Sequence, residues 1–264
     1  MGKKRIDEAI QGVLQQGNKV FVPYIMAGDG GLEKLADQIS FLEKSGATVV
    51  ELGIPFSDPV ADGPTIQEAG IRALSNGTTL EKVLDTLKGS KASRSIPIVL
   101  MTYFNLIFVY GVERFAEECE AAGVDGVIIP DLPLEEEELV VPALSKHEIA
   151  LIRLAAPTSP RSRLEEIAKR TEGFLYAVTV KGTTGARSEY EEGVAGYLKE
   201  LKSLSSAPVL AGFGVSTPEH VQSLSRHCDG VIVGSKIVRA LADEKPDDIK
   251  ELINAAKHAD IKMV

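Results

Sequence analysis

Eight short apolar runs, rich in β-branched residues and each followed by a loop and an amphipathic stretch, constrain this chain more than any other feature. They are Val20–Met26, Thr48–Ile54, Pro97–Tyr103, Gly126–Pro130, Ala150–Ala155, Phe174–Val180, Pro208–Gly212 and Gly230–Val233. Most begin 22 to 34 residues apart, the length of one strand–helix unit, so they read as parallel strands joined by helical crossovers. Their near-continuous apolar character suits strands covered on both faces.

At 264 residues the chain fits an α/β fold of one kind well: a single (β/α)8 TIM barrel spanning residues 1–264 as one domain. An extra N-terminal helix is expected over Arg5–Gln16 and a closing one over Pro246–Ala259. The second and third runs start 49 residues apart, leaving Pro55–Ser95 for an extended loop and a helix, roughly Thr65–Lys88, interrupted near Asn76-Gly77. A second extended loop, Lys181–Tyr190, follows the sixth run and is rich in Gly, Thr and Ser. Three segments resemble one another: Ser45-Gly-Ala-Thr-Val-Val-Glu51, Ala122-Gly-Val-Asp-Gly-Val-Ile-Ile129 and Cys228-Asp-Gly-Val-Ile-Val-Gly234. Each reads as a helix end, a glycine turn and a buried strand.

Net charge of −9 argues against nucleic acid as the main partner, because phosphate backbones reward basic faces. No apolar run approaches the roughly 20 residues that span a bilayer, and the charged N-terminus lacks the apolar core of a signal peptide. Cys119 and Cys228 form no CxxC pair and are expected as reduced packing residues of a cytoplasmic protein.

In such a barrel reactive groups gather at the C-terminal strand ends and in the loops that follow. Glu51 lies inside a strand where both faces should be dry. An unpaired ionised carboxylate would be costly there. It is either a structural Glu bonded to a neighbouring strand or an acid whose raised pKa suits proton transfer at neutral pH. Asp62 stands 11 residues later, in a loop carrying Pro55, Pro59 and Pro64. It could merely cap a helix, but beside Glu51 a stiff loop could hold a second reacting carboxylate at fixed geometry. Gly212-Phe-Gly214-Val-Ser216 and Gly234-Ser235 follow strands seven and eight, where barrels of this kind bind phosphate, and Gly182-Thr-Thr-Gly185 could add a donor. Ordinary turns also favour glycine. None of His147, His220, His227 and His258 falls at a rim position, so no metal site is expected. Lys181 could act as a Schiff-base lysine, although its polar Gly/Thr loop would not desolvate it.

The run Glu51-Leu-Gly-Ile-Pro-Phe-Ser-Asp-Pro-Val-Ala-Asp62-Gly-Pro-Thr-Ile-Gln67 closely resembles the signature of the tryptophan synthase α subunit family. Phe21-Val-Pro-Tyr-Ile-Met-Ala-Gly-Asp29, Met101-Thr-Tyr-Phe-Asn105, Ile129-Pro-Asp-Leu-Pro133, Gly212-Phe-Gly214 and Gly234-Ser235 fit as well, so the resemblance covers nearly the whole chain. It implies a lyase of tryptophan biosynthesis that cleaves indole-3-glycerol phosphate to indole and glyceraldehyde 3-phosphate. By position, Glu51 matches the acid–base and Asp62 the carboxylate that meets the indole N–H. Tyr176 and Phe213 match pocket positions flanking the indole, with Ile66, Tyr103 and Ile128 nearby. Gly185, Gly214, Gly234 and Ser235 match phosphate donors, and Thr184 a threonine that helps close the site.

The resemblance further implies a partner, a β subunit that carries pyridoxal phosphate in an α2β2 heterotetramer, with Asp58 and Asn105 near the interface and no cofactor in this chain. Two departures stand out. Asp29-Gly-Gly replaces the usual Asp-Pro, and Val180-Lys-Gly-Thr-Thr-Gly replaces an Arg or Ser followed by Gly-Val-Thr-Gly. A free-standing lyase that releases indole, a non-catalytic activator of the β subunit and a phosphosugar isomerase are the competing readings.

Overall fold

Eight parallel strands close on themselves in chain order, the eighth pairing with the first. The computed structural model describes residues 2–179, 187–212 and 214–257. The path runs through α1 (Lys3–Gln15), β1 (Val20–Met26), α2 (Leu35–Ser45), β2 (Val50–Gly53), α3 (Pro64–Ser75) and α4 (Leu80–Ser90). It continues with β3 (Ile98–Met101), α5 (Phe104–Tyr110), α6 (Val112–Ala122), β4 (Gly126–Ile128), α7 (Val141–Lys146) and β5 (Ala150–Ala155). The last third holds α8 (Arg161–Arg170), β6 (Leu175–Val178), α9 (Arg187–Leu204), β7 (Val209–Gly212), α10 (Pro218–Ser225), β8 (Gly230–Val233), α11 (Ser235–Ala242) and α12 (Pro246–Lys257).

Strand alternation sorts the core into two layers. Val20, Val22, Tyr24 and Met26 of β1 turn inward, as do Ile128, Ile152, Tyr176, Leu210 and Ile232 from other strands, filling the barrel interior. The intervening residues, such as Phe21, Ile25, Leu52 and Leu100, pack outward against the helices. The extra helix α1 closes the N-terminal end: Ile6 and Ile10 are fully buried in the interior cluster. Asp125 pins it there, accepting from the Gly2 N–H at 3.1 Å and the Arg5 guanidinium at 3.0 Å, while also accepting the Ile98 N–H at 3.0 Å.

Several expected boundaries move. Thr48–Ile54, Pro97–Tyr103 and Gly126–Pro130 shorten to the ladders of β2, β3 and β4, all three at the C-terminal end and the first two at the N-terminal end as well. The interruption expected near Asn76-Gly77 divides the helical stretch after β2 in two: α3 ends at Ser75 with Asn76 as its C-cap, Gly77 takes φ 70°, and the Thr79 side chain caps α4 by accepting the Lys82 N–H. Residues 187–190, expected in the second extended loop, are helical as the start of α9. Of the three similar segments, two behave as expected, with Gly46 (φ 96°) and Gly123 (φ 70°) in left-handed turns. Gly230 instead opens β8, where a Cβ would come within 2.2 Å of the Val20 carbonyl oxygen; close strand approach, not a turn, requires it.

On the outside of β5, Arg153 forms a two-pronged pair with Glu137, at 2.6 and 2.8 Å, and both side chains are more than nine-tenths buried. Cys119 and Cys228 are buried and not bonded to each other. No helix among the described residues is long and apolar enough to cross a membrane.

Candidate active site

Alternation through Val49 and along β2 turns Val49, Glu51 and Gly53 into the barrel, and register sets Glu51 between Tyr24 of β1 and Val99 of β3. Glu51 is 1% exposed and its Oε2 has no hydrogen-bond partner. Burial, reinforced by the charge of Asp62, pushes its pKa up to about 8. The carboxyl is therefore protonated at neutral pH and ready to give a proton. The structural alternative, a Glu bonded to a neighbouring strand, finds no support at Oε2.

Asp62 sits just before Gly63, which starts α3 with Pro64 in the first helical position. Burial raises its pKa, while a hydrogen bond with the Tyr103 hydroxyl opposes the rise. Tyr103 is the brace of this loop. Its oxygen accepts the Ala61 N–H at 2.9 Å and its ring packs against Phe56 at 5.2 Å between centroids. Burial above all pushes its own phenol up to about 12, so it stays a neutral donor.

Glu51 and Asp62 open into one cavity of about 290 Å³ at the C-terminal ends of the strands. Tyr24, Ile66, Met101, Tyr176 and Ile232 supply its apolar and aromatic wall. The two tyrosine rings fit because their neighbours lack side chains. A Cβ on Gly53 would meet the Tyr24 hydroxyl at 1.9 Å, and one on Gly212 would meet the Tyr176 ring at 2.3 Å. Gly214, Ser216, Gly234, Ser235 and Lys236 also line the cavity, where backbone N–H groups at the start of α11 suit an anion.

Of the residues expected at the site, Glu51, Asp62, Ile66, Tyr176, Gly214, Gly234 and Ser235 all line this cavity. Tyr103 and Ile128 are buried but do not: the first supports the Asp62 loop, and the second lies in the barrel interior. Thr184, Gly185 and Phe213, with Lys181, lie outside the described residues. Asp58 and Asn105 are exposed on the segments that follow β2 and β3. Residue-by-residue reading passed over Tyr24, although its inward position on the strand beside Glu51 was the available signal. It also placed every histidine away from the rim, yet His220 Nδ1 stands 3.3 Å from the Ser216 hydroxyl, one residue behind the cavity wall. Among the described residues no group of three His, Cys, Asp or Glu is placed to hold a metal ion.

The pKa of Glu51 has a consequence for folding. A carboxyl that titrates near its ordinary 4.5 when unfolded and about 8 when folded binds its proton more tightly in the folded state. Folded stability should therefore decline as pH rises between those values and level off above them. Urea denaturation at pH 5 and pH 8.5 should show that decline, and Glu51→Gln, which cannot ionise, should lessen it.

The sequence profile described as "Tryptophan synthase alpha chain" matches residues 10–263. The tryptophan synthase alpha chain of Oceanobacillus iheyensis is 56% identical over 253 residues, covering 96% of this chain and 97% of that one. The alpha chain of Bacillus cereus is 52% identical over 250 residues, covering 95% and 97%. Among solved structures, tryptophan synthase subunit alpha from Legionella pneumophila superposes with a TM-score of 0.87 at 34% identity, covering 98% of each chain. Tryptophan synthase from M. tuberculosis gives 0.87 at 28% identity, covering 96% of this chain and 98% of that one. With a family model over residues 10–263, relatives more than half identical over nearly all of the chain, and the same fold, the chain belongs to the tryptophan synthase alpha chain family.

Proposed function

We propose that Glu51 and Asp62 carry out the α reaction of this family, the retro-aldol cleavage of indole-3-glycerol phosphate to indole and glyceraldehyde 3-phosphate in tryptophan biosynthesis. The observation that carries this assignment is a buried carboxyl with a free oxygen, protonated at neutral pH, opening with a second carboxyl into one cavity. Glu51 donates its proton to the indole ring carbon that bears the glycerol chain, and the ring becomes an indolenine cation. Asp62 accepts the ring N–H and stabilises that charge. The Glu51 carboxylate then takes the proton from the neighbouring glycerol hydroxyl. The hydroxyl oxygen forms a carbonyl, the carbon–carbon bond breaks, and its electron pair restores the neutral indole. Glu51 ends protonated again, and the ring itself accepts the electrons, so the cleavage as written uses no metal and no Schiff base to the protein.

Tyr24, Ile66 and Tyr176, with Phe213, hold the indole in this reading, and Gly214, Gly234 and Ser235, with Gly185, receive the phosphate. Thr184 closes the site. The partner is a β chain carrying pyridoxal phosphate, in an α2β2 assembly, so this chain needs no cofactor of its own. A docking face is available beside Asp58 and Asn105. Val60, Phe108 and Val109, near these two residues in the chain, are 82%, 67% and 77% exposed and would be covered by such a partner.

The test is indole release from indole-3-glycerol phosphate, measured with and without a β chain. Slow release alone and at least about tenfold faster release with the β chain are expected, as loop ordering by a partner commonly sets turnover. Rates indifferent to the β chain would make this a free-standing lyase. No indole under either condition would remove catalysis from the chain.

A further inference from the structure

Lys236 follows Gly234 and Ser235 directly, in the first turn of α11, and it lines the cavity. Among the described lining residues it is the only one that carries positive charge. Its ammonium lies 2.6 Å from Oδ2 of Asp248 in the first turn of α12, a helix that packs on α11. The two side chains are 35% and 39% exposed, so water and salt screen the pair and little free energy holds it closed. Lysine places its charge on a flexible four-carbon stem, so the same ammonium can be presented to a second anion within reach.

We propose that Lys236 recognises the phosphate of the substrate, and that Asp248 competes with that phosphate for the same ammonium. The inference rests on the phosphate assignment above and extends it. Backbone N–H groups of the glycine turns orient a phosphate but bring only partial charges. A dianion entering the cavity beside the Asp62 carboxyl gains from one full opposite charge. Asp248 holds that charge aside at the rim. Its loss should therefore strengthen substrate binding, whereas loss of Lys236 should weaken it. These opposite signs separate recognition from a structural role, since a pair needed only to join α11 to α12 would respond alike to the loss of either partner.

The experiment measures kcat and KM for indole-3-glycerol phosphate and for its dephosphorylated form, indole-3-glycerol. It compares the native chain, Lys236→Met, Asp248→Asn and a control, Lys250→Met, which removes an exposed ammonium paired with Asp247 elsewhere on α12. Lys236→Met should raise KM for the phosphorylated substrate about tenfold with kcat within about twofold, the scale of one charge-assisted contact. Its constants for indole-3-glycerol should match those of the native chain. Asp248→Asn should lower KM for the phosphorylated substrate about two- to fivefold, and Lys250→Met should move neither constant. An unchanged KM in Lys236→Met, or a raised one in Asp248→Asn, would overturn the proposal while leaving the phosphate assignment intact. A native chain that uses both substrates equally well would instead bring down the phosphate assignment itself.

Discussion

Glu51→Gln is expected to slow indole formation about a thousandfold or more while indole-3-glycerol phosphate still binds. The substitution is nearly isosteric. At neutral pH it replaces one uncharged group by another, because Glu51 holds its proton up to about 8. The interior around Tyr24, Val99 and Tyr176 therefore has no reason to repack. What disappears is the proton itself: an amide can neither donate to the ring carbon nor accept from the glycerol hydroxyl. Single-turnover kinetics beside equilibrium binding should show a lost chemical step with substrate affinity within a few fold of the native value. A variant that keeps a tenth of the native rate would take Glu51 out of its role and leave Asp62 as the remaining carboxylate of the cavity.

The second large effect concerns stability. Glu137→Leu should cost about 3–5 kcal/mol, the usual consequence of removing one partner of a buried ion pair. In the native chain the Arg153 guanidinium is 9% exposed and depends on Glu137 for both prongs of its pair. It also donates to the carbonyls of Leu151 and Arg170, bonds that do not neutralise its charge. Replacing both partners, Glu137→Leu with Arg153→Met, should recover most of the loss, because two apolar groups leave no orphaned charge. Chemical denaturation of the single and double variants checks this. A loss below about 1 kcal/mol in Glu137→Leu would mean that water already solvates the Arg153 charge.

How far these features could be read in advance depends on their range along the chain. Strand identity was legible because burial on both faces leaves a local mark: runs such as Val20–Met26 and Ala150–Ala155 contain it entirely. The Glu51–Asp62 pair was legible for the same reason, since both residues lie in one stretch of 12 that resembles the family's signature. Strand ends were less legible, because where a ladder stops depends on neighbouring strands. Tyr103 was expected near the indole pocket, but its bracing of the Asp62 loop through Ala61, a contact 42 residues apart in the chain, was not legible. Gly230 was expected in a turn and serves the closure of β8 on β1, which no local pattern records.

The amino-acid sequence alone determined the eight-unit barrel, the inward alternation that buries Glu51, and the family to which the chain belongs. Those properties follow from periodicity and from residues near one another in the chain. Only the tertiary structure decided that a buried Glu51 oxygen has no hydrogen-bond partner, that Tyr24 stands beside Glu51, and that Lys236 pairs with Asp248 at the rim. Each of these depends on strands or helices brought together by closure of the barrel. The strength of a charge there is set by the groups and the water that closure leaves around it.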